Sequence, residues 1–408
     1  MEIGLMQVNA SFSGQSYMPY SVAMLQASAT RYSNCKEELK FRIPIFKREP
    51  IPKLIEKLDG VSVLAISLYV WNEQISLETA RRLKTNSENP PIVIVGGPQV
   101  PDNSEEFLAE NPFIDFCIHG EGEFVFPQVL DCISNADWKG LKGLPSISFT
   151  DKDTGFKANG VRKREKSLEI FDSPYLSGAF DALLATYPSE EWTALWETNR
   201  GCPFQCTFCD WGSATAAKVN KFGMDRLRAE IDWFVANKIK FIYCCDANFG
   251  ILARDKEIAE YIAFSKAKYG CPEIFSVQST KNSTKKSFET QKIISDAGLS
   301  KGVSLSMQSL DSEVLRFIKR DNIHQETYDQ LQMAFTNEKI DTYTDIVIGL
   351  PGETFQSFKD GVQYLIEKKQ YNRIRFNNLS VLPNAEVGNP DNQKQHGLVI
   401  SRTKFVQV

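Results

Sequence analysis

The sequence predicts an α/β protein in two parts: an N-terminal Rossmann-like doubly wound parallel sheet, then a partial (β/α)6 TIM-like barrel. Three observations carry this. Short apolar runs alternate with amphipathic segments from Met1 to about Asp137, the rhythm breaks from Trp138 to Ser189, and it resumes beyond Ser189. A chain of 408 residues has room for two or three domains, each with its own core.

In the first part, strands are expected at Ile3 to Val8, Leu39 to Ile45, Val61 to Leu68, Ile92 to Val95 and Phe113 to Ile118. Helices are expected near Tyr20 to Tyr32, Ile51 to Leu58, Ser76 to Lys84, Ser104 to Glu110 and Glu123 to Ser134. Sheets of this kind take ligands at the carboxyl ends of their strands. From Trp138 the pattern reads as a hairpin and linker, with Ser146 to Thr150, the turn-rich DKDTG and a basic run. Beyond it, strands are expected at Trp192 to Glu197, Ile239 to Cys245, Ile274 to Gln278, Gly302 to Met307, Asp341 to Ile348 and Ile374 to Val381. Six βα units favour a curled barrel over a second flat sheet, although periodicity alone does not separate the two. The expected domains are therefore 1–137, a linker and hairpin over 138–189, a barrel over 190–388 and a C-terminal tail over 389–408, with a truncated further domain as the alternative for the tail.

Composition narrows the function classes. The residues are 42% hydrophobic and 24% charged with a formal charge of -4, so no broad cationic surface points to nucleic acid or an anionic membrane. The opening MEIGLMQVNA lacks a signal-like charged and apolar pattern, and no stretch reaches the ~18 apolar residues of a membrane span, so a cytoplasmic protein is expected. Nine cysteines, three of them within eight residues, suit a reducing compartment and a metal cluster better than a disulfide framework. Buried apolar packing is the expectation for the other six.

The three clustered cysteines carry the chemistry. ETNRGCPFQCTFCDWG places Cys202, Cys206 and Cys209 just after a predicted strand, where Gly201, Pro203 and Gly212 favour a loop. Thiolates are the soft anionic ligands that iron-sulfur clusters require, and a full cage takes four. Three leave one iron open, and an open metal position is what separates a reactive site from a structural one. A zinc site completed by a distant residue and three merely buried cysteines are the competing readings.

RGCPFQCTFCDWG, with aromatic Phe208 before the third cysteine, resembles the cluster loop of the radical S-adenosylmethionine (SAM) superfamily. The resemblance implies a 4Fe-4S cluster held by Cys202, Cys206 and Cys209, with SAM chelated to the free iron. FIYCCDANFG is similar to the motif that receives the methionine amino group, making Asp246, Asn248 and Gly250 candidates, against a capped helix start with a turn glycine. FSVQST, with Gln278 and Ser279, and VSLSMQSLD, with Ser306, Gln308 and Ser309, resemble segments that contact ribose and carboxylate. DIVIGLPGET resembles the fifth-strand motif, where Gly349 and Gly352 let backbone approach adenine and Glu353 either caps a helix or meets ligand.

YMPYSVAMLQA, SLYVWN, VGGPQV and HGEGE resemble, in that order, the cobalamin-binding domain fused to many such enzymes. The candidates are Ser67, Tyr69, Trp71 and Asn72 after the third strand, Gly96 and Gly97 after the fourth, and Gly120, Glu121 and Gly122 after the fifth. Glycines there clear backbone for a flat ligand, although tight βα turns would use them too. No DxHxxG loop is present, which implies cobalamin without a protein imidazole beneath cobalt, and His119 reads as an ordinary hydrogen-bonded side chain.

Together these resemblances imply a cobalamin-dependent radical SAM enzyme that methylates an unactivated carbon of a peptide or small natural product. They also imply a low-potential electron donor of the flavodoxin or ferredoxin type. A radical enzyme that cyclises or rearranges its substrate without methyl transfer, and a non-enzymatic iron-sulfur or zinc module, are the alternatives.

Overall fold

The computed structural model describes residues 1–9, 14–211, 217–280, 285–300, 302–368 and 372–401. Gly212 and residues 402–408 of the expected tail lie outside these. The described chain packs as two units. Met1–Arg200, Val219–Asp246 and Glu257–Val277 form the first, and Gly201–Lys218, Ala247–Lys256 and the chain from Gln278 onward form the second.

The first unit is built on a seven-stranded sheet. Its strands are β1 (Glu2–Met6), β3 (Lys40–Phe41), β4 (Val63–Ser67), β5 (Ile92–Gly96), β6 (Phe116–Ile118), β7 (Ile147–Asp151) and β8 (Gly155–Ala158), in the order β3-β1-β4-β5-β6-β7-β8. The strands up to β6 pair in parallel, with Ile3 opposite Val63 and Val63 opposite Ile92. Side chains alternate between the faces of a strand, and both faces here are apolar. Val63 and Ala65 pack with Val22, Val125, Phe126 and Val129 of helices Tyr20–Tyr32 and Gly122–Ser134. Leu64 and Ile66 face the other way, onto Leu54, Leu58, Leu83 and Phe107. Each helix turns an apolar stripe inward, as burial of Leu54 and Leu58 in Ile51–Leu58 illustrates.

The expected second strand, Leu39 to Ile45, shrinks to Lys40–Phe41 plus a single bridge from Ile45 to Met6. Pro44 explains the interruption, because it has no N–H to give to a ladder. The hairpin expected within the linker exists, but it is not a free connector: β7 pairs antiparallel with β6 and extends the sheet. Ile147 and Phe149 gain burial in the sheet core that way.

A second, parallel sheet in the same unit has the order β13-β12-β9-β2, with β2 at Ser16–Tyr17, β9 at Trp192–Trp196, β12 at Phe241–Cys244 and β13 at Ile274–Ser276. β2 escaped the sequence reading because two residues carry no period. β10 (Asn199–Arg200) and β11 (Asn220–Lys221) form a short antiparallel ribbon.

The second unit holds a three-stranded parallel sheet, β14-β15-β16, with β14 at Val303–Ser304, β15 at Thr342–Ile348 and β16 at Arg373–Asn378. Leu305, Met307, Tyr328, Phe335, Ile346 and Leu365 form its core. The expected strand Gly302 to Met307 is cut to two residues. Past Leu305 the chain turns, and Gln308 takes a left-handed φ of 66° while bridging to Ile346.

Candidate cofactor sites

The cysteine loop lies in the second unit. Gly201 opens it at φ 125°, a conformation that other residues resist. The loop is tied down on both sides: Thr207 N donates to Ile318 O at 3.0 Å, and Val387 N donates to Thr207 O at 3.0 Å. Phe208 packs against the cluster of Val314, Ile318, Val347 and Leu350. Cys202 and Cys206 are buried and Cys209 is partly exposed. Among the described residues, no three His, Cys, Asp or Glu side chains converge to hold a single metal ion. A 4Fe-4S cube asks for something different, one thiolate on each iron.

Two buried polar side chains face these thiols. Asn248, 2% exposed, donates from Nδ2 to Cys202 Sγ at 3.3 Å, while its Oδ1 is buried without a hydrogen bond among the described residues. Arg320, 4% exposed, donates from Nε to Asn322 Oδ1 at 2.7 Å and from Nη2 to the Ser306 carbonyl at 2.5 Å. Its Nη1 is left without a hydrogen bond of sound geometry, and the groups acting on it are sulfurs. Burial pushes the Arg320 guanidinium down, and the Cys206 thiol, then Cys209, pull it back up. N–H groups aimed at cluster sulfurs are one of the means by which proteins hold and tune such clusters, so these residues fit the group.

The other candidates of this unit fall on neighbouring chain ends. Phe249 N donates to Gln278 O at 2.8 Å and Phe249 bridges to Ser279. Gly250 stands at φ 92°, and its N–H reaches Asp255 Oδ2 at 2.8 Å. A Cβ on Gly250 would lie 3.2 Å from Ser287 Oγ. Ser306 Oγ donates to Asp345 Oδ2 at 2.6 Å, and Arg375 clasps the same carboxylate at 2.7 and 2.8 Å. Burial raises the Asp345 carboxyl, yet Arg375, Ser306 and Asn377 together hold it below its ordinary value. Asn322 Nδ2 donates to the carbonyls of Met307 and Ser309, both at 2.9 Å, fixing the turn that carries Gln308. Gly349 has φ 86° and is exposed. Glu353 accepts from Ser309 Oγ at 3.2 Å, and burial pushes its carboxyl up.

Asp246 belongs to the first unit and is already satisfied. Its carboxylate takes the Thr198 N–H at 2.8 Å, the Thr198 hydroxyl at 2.5 Å, the Asn199 N–H at 3.1 Å and the Asn199 amide at 2.7 Å. Four acceptor sites with four donors leave no place for a ligand. The residue instead fixes the stretch leading to Gly201.

The first unit contains a cavity at the carboxyl ends of β4, β5 and β6. Ser67, Tyr69, Gly96, Gly97, Gly120 and Gly122 line it, together with an apolar floor of Met24, Leu25, Ile66, Ile94, Ile118 and Phe126. Gly97 sits at φ 103°, and a Cβ there would lie 2.6 Å from Leu68 O, so no other residue fits. The Tyr69 hydroxyl pairs with Ser21 Oγ at 2.5 Å, and burial raises it. Trp71, 47% exposed, stacks on Tyr69 at 4.6 Å and 11°. Trp71, Asn72 and Glu121 do not line the cavity. Asn72 locks the loop instead, accepting from Tyr69 N at 2.8 Å and donating to Ser67 O at 3.0 Å. Glu121 accepts from Glu165 N at 2.9 Å, and burial raises its carboxyl. A flat, largely apolar ligand with polar edges fits such a space, since the glycines clear the wall and the floor offers no charge.

Residues 196–365 match the sequence profile of the Radical SAM superfamily. The chain carries a radical SAM domain. It is 38% identical over 386 residues to the cobalamin-dependent radical SAM methyltransferase TokK of Streptomyces tokunonensis, covering 94% of this chain and 56% of that one. It is 37% identical over 384 residues to the 2-(S-pantetheinyl)-carbapenam-3-carboxylate methyltransferase of Streptantibioticus cattleyicolor, with the same two shares. The chain thus spans little more than half the length of these curated relatives. Its fold is similar to that of the radical SAM methyltransferase TsrM from Kitasatospora setae, solved with cobalamin and a 4Fe-4S cluster. That match has a TM-score of 0.71 and 15% identity, and covers 95% of this chain and 74% of that one.

The radical SAM domain holds residues that its sequence motifs did not single out. Arg320 follows the VSLSMQSLD stretch by several residues, and only its burial and orphaned donor reveal it. Arg200, next to the cluster loop, lines the first-unit cavity with Glu197, Glu123 and Tyr20. It pairs with Glu123 at 2.6 Å and Glu197 at 2.9 Å, and its nearest contact to Glu121 is 3.6 Å. The available signal was adjacency: Arg200 begins RGCPFQC, and Tyr20 and Ser21 sit inside YMPYSVAMLQA.

Proposed function

We propose that this chain is a cobalamin-dependent radical SAM enzyme that methylates an unactivated carbon of a small natural product. The observation that carries the reading is the second-unit site. There the first of the three loop thiols, Cys202, accepts the N–H of a buried amide, Asn248, whose Oδ1 remains a vacant acceptor among the described residues. The naming of a relative for a carbapenam carboxylate supports a small bicyclic or similar substrate class over a peptide.

With its cofactors bound, the chemistry supplied is reductive cleavage of the SAM sulfonium to a 5'-deoxyadenosyl radical, and methyl delivery from cobalamin to the substrate carbon. The chain's own residues bind, orient and exclude water. Cys202, Cys206 and Cys209 would hold the cluster by three thiolates, one fewer than a full cage takes, which would leave a position for SAM. Asn248 Oδ1 accepts from the methionine amino group, and Gly250 keeps the neighbouring backbone close. Asp246 is a positioning residue for Thr198 and Asn199 rather than a ligand. Gln278, Ser279, Ser306 and Gln308 serve the ribose and carboxylate, and Gly349 lets backbone approach adenine. Ser67, Tyr69, Gly96, Gly97, Gly120 and Gly122 clear and edge the cobalamin cavity, while Trp71, Asn72 and Glu121 support its loops.

In this reading residues 1–137 form a Rossmann-like cobalamin-binding domain, extended by the hairpin of the 138–189 segment. Residues 190–388 form a partial (β/α)6 barrel, followed by the 389–408 tail. Electrons come from a flavodoxin- or ferredoxin-type donor in the cytoplasm. Among the described residues, no helix is long and apolar enough to cross a membrane.

Anaerobic reconstitution with iron, sulfide and hydroxocobalamin tests the reading. A 4Fe-4S spectrum that changes on adding SAM is expected. With reductant and a carbapenam carboxylate, S-adenosylhomocysteine and 5'-deoxyadenosine should form together. Formation of 5'-deoxyadenosine with no consumption of methyl groups would sink the methylation reading, and a cobalt chromophore that never associates would sink the cobalamin one.

A further inference from the structure

Arg320 is a buried cation without an anionic partner of the ordinary kind. Its side chain is 4% exposed. Among the described residues, its hydrogen bonds run to a neutral amide and a carbonyl, Asn322 and Ser306, and no carboxylate acts on it. An uncompensated buried charge is strongly destabilising, so a fold keeps one only where something supplies the opposite charge. The groups that do act on the guanidinium are sulfurs, Cys206 through charge and a side-chain hydrogen bond and Cys209 more weakly, while Nη1 has no other hydrogen-bond partner among the described residues. The guanidinium is also held rigidly. Asn322, which anchors Nε, donates in turn to the carbonyls of Met307 and Ser309. The loop bearing the thiols is fixed to the same segment by the Thr207 to Ile318 hydrogen bond.

Resting on the cluster reading above, we infer that Arg320 is a positioning and charge-compensating residue for the iron-sulfur cluster, whose buried guanidinium offsets the cluster-bound thiolates of Cys206 and Cys209 and raises the cluster's reduction potential. Reduction adds one negative charge to a site already anionic, and a fixed cation in a low-dielectric surrounding favours that state. The same cation is a burden on the empty chain. The site therefore gives up stability without its cluster in return for a more reducible cluster when loaded.

The test uses the full chain, reconstituted anaerobically, with the cluster's midpoint potential followed by electron paramagnetic resonance in the absence of SAM. R320M, an apolar replacement of similar length, and R320Q both remove the charge, whereas R320K keeps it. R320M and R320Q are expected to shift the reduction equilibrium about tenfold against the reduced cluster, roughly 59 mV for one electron. R320K is expected to stay closer to wild type. The cluster-free R320M chain is expected to melt at a higher temperature than the cluster-free wild type, an effect that a merely structural arginine would reverse. Unchanged potentials in both neutral variants accompanied by weaker SAM binding would show that Arg320 serves the nucleoside, and the inference falls. Equal shifts in R320K and R320M also overturn it, because charge would then not be the operating property. A wild-type chain that assembles no 4Fe-4S cluster, visible in its optical spectrum before any variant is compared, removes the underlying reading as well.

Discussion

The two candidate sites are prepared for their ligands in opposite ways. The thiol site of the second unit is built from polar side chains, and two of them keep unmet bonding capacity among the described residues: the vacant Oδ1 of Asn248 and the orphaned Nη1 of Arg320. The cavity of the first unit is built mainly from omission, with glycines where other residues would carry a Cβ, an apolar floor that asks for no partner, and charges, Arg200 with Glu123 and Glu197, that already pair with one another. A site with unsatisfied polar groups selects its ligand by charge and geometry, and it is destabilised until the ligand arrives. A cleared apolar space selects by shape, and it rests comfortably empty. The first should therefore be sensitive to loss of single functional groups, and the second to added bulk.

Substitution at both sites breaks the comparison most directly. Replacing Cys202, Cys206 and Cys209 by alanine is expected to abolish the cluster chromophore entirely while leaving hydroxocobalamin uptake in place, as read from absorbance after gel filtration. Parallel loss of cobalamin would mean that the two sites are not independent.

G97V should do the converse. The new Cβ meets Leu68 O at 2.6 Å and the backbone stands at φ 103°, so a destabilisation of roughly 2–4 kcal/mol is expected. Cobalamin affinity should fall at least a hundredfold with the cluster spectrum retained, as measured by denaturant titration and equilibrium binding. Normal cobalamin uptake by this variant would remove the cavity from the cofactor assignment.

Asn248→Ala removes both the N–H to Cys202 and the vacant acceptor. Hydrogen bonds to a charged group are worth about 1.5–3 kcal/mol, so SAM affinity is expected to fall ~10–100-fold while iron content changes little. An unaltered SAM dissociation constant would return Asn248 to a purely structural part.

The smallest effect sharpens the comparison through pH. Burial pushes the Asp255 carboxyl up to about 6, against the lowering influence of the Leu252 and Gly250 amides that it accepts. A folded-state value above the unfolded one means that the folded chain keeps its proton longer. The stabilisation is therefore complete below the unfolded value of 3.8 and is lost as pH rises through about 6. Denaturation midpoints should decline across that window by the equivalent of about 1–2 kcal/mol, and D255N should flatten the slope. A slope that survives D255N would place its source elsewhere.

Much of this was legible beforehand, for identifiable reasons. β4 was legible as an unbroken apolar run, the mark of a strand buried on both faces: Val63 and Ala65 meet one helix layer and Leu64 and Ile66 the other. Helices Tyr20–Tyr32 and Ile51–Leu58 fall where their apolar spacing put them. Legibility failed where pairing depends on distant partners. Ser16–Tyr17 becomes a strand only because β9 offers it an edge, and Leu39 to Ile45 mostly fails to be one because Pro44 interrupts the ladder. The site residues divide the same way. Asp246 and Asn248 stand two positions apart in one motif, yet one has every acceptor filled and the other keeps one open.

The sequence by itself determined the chemistry on offer and the local structure: three soft ligands in a glycine- and proline-bounded loop, glycines at strand ends, and the alternation that makes a buried parallel sheet. Spacing and side-chain type are local properties, and they survive in a one-dimensional reading. Tertiary structure alone decided which polar groups are already satisfied and which are held in waiting, because a hydrogen bond is a relation between residues far apart along the chain. Arg320 shows it most clearly: as a letter it is an ordinary surface cation, and only burial beside Cys206 makes it a charge in need of a cluster.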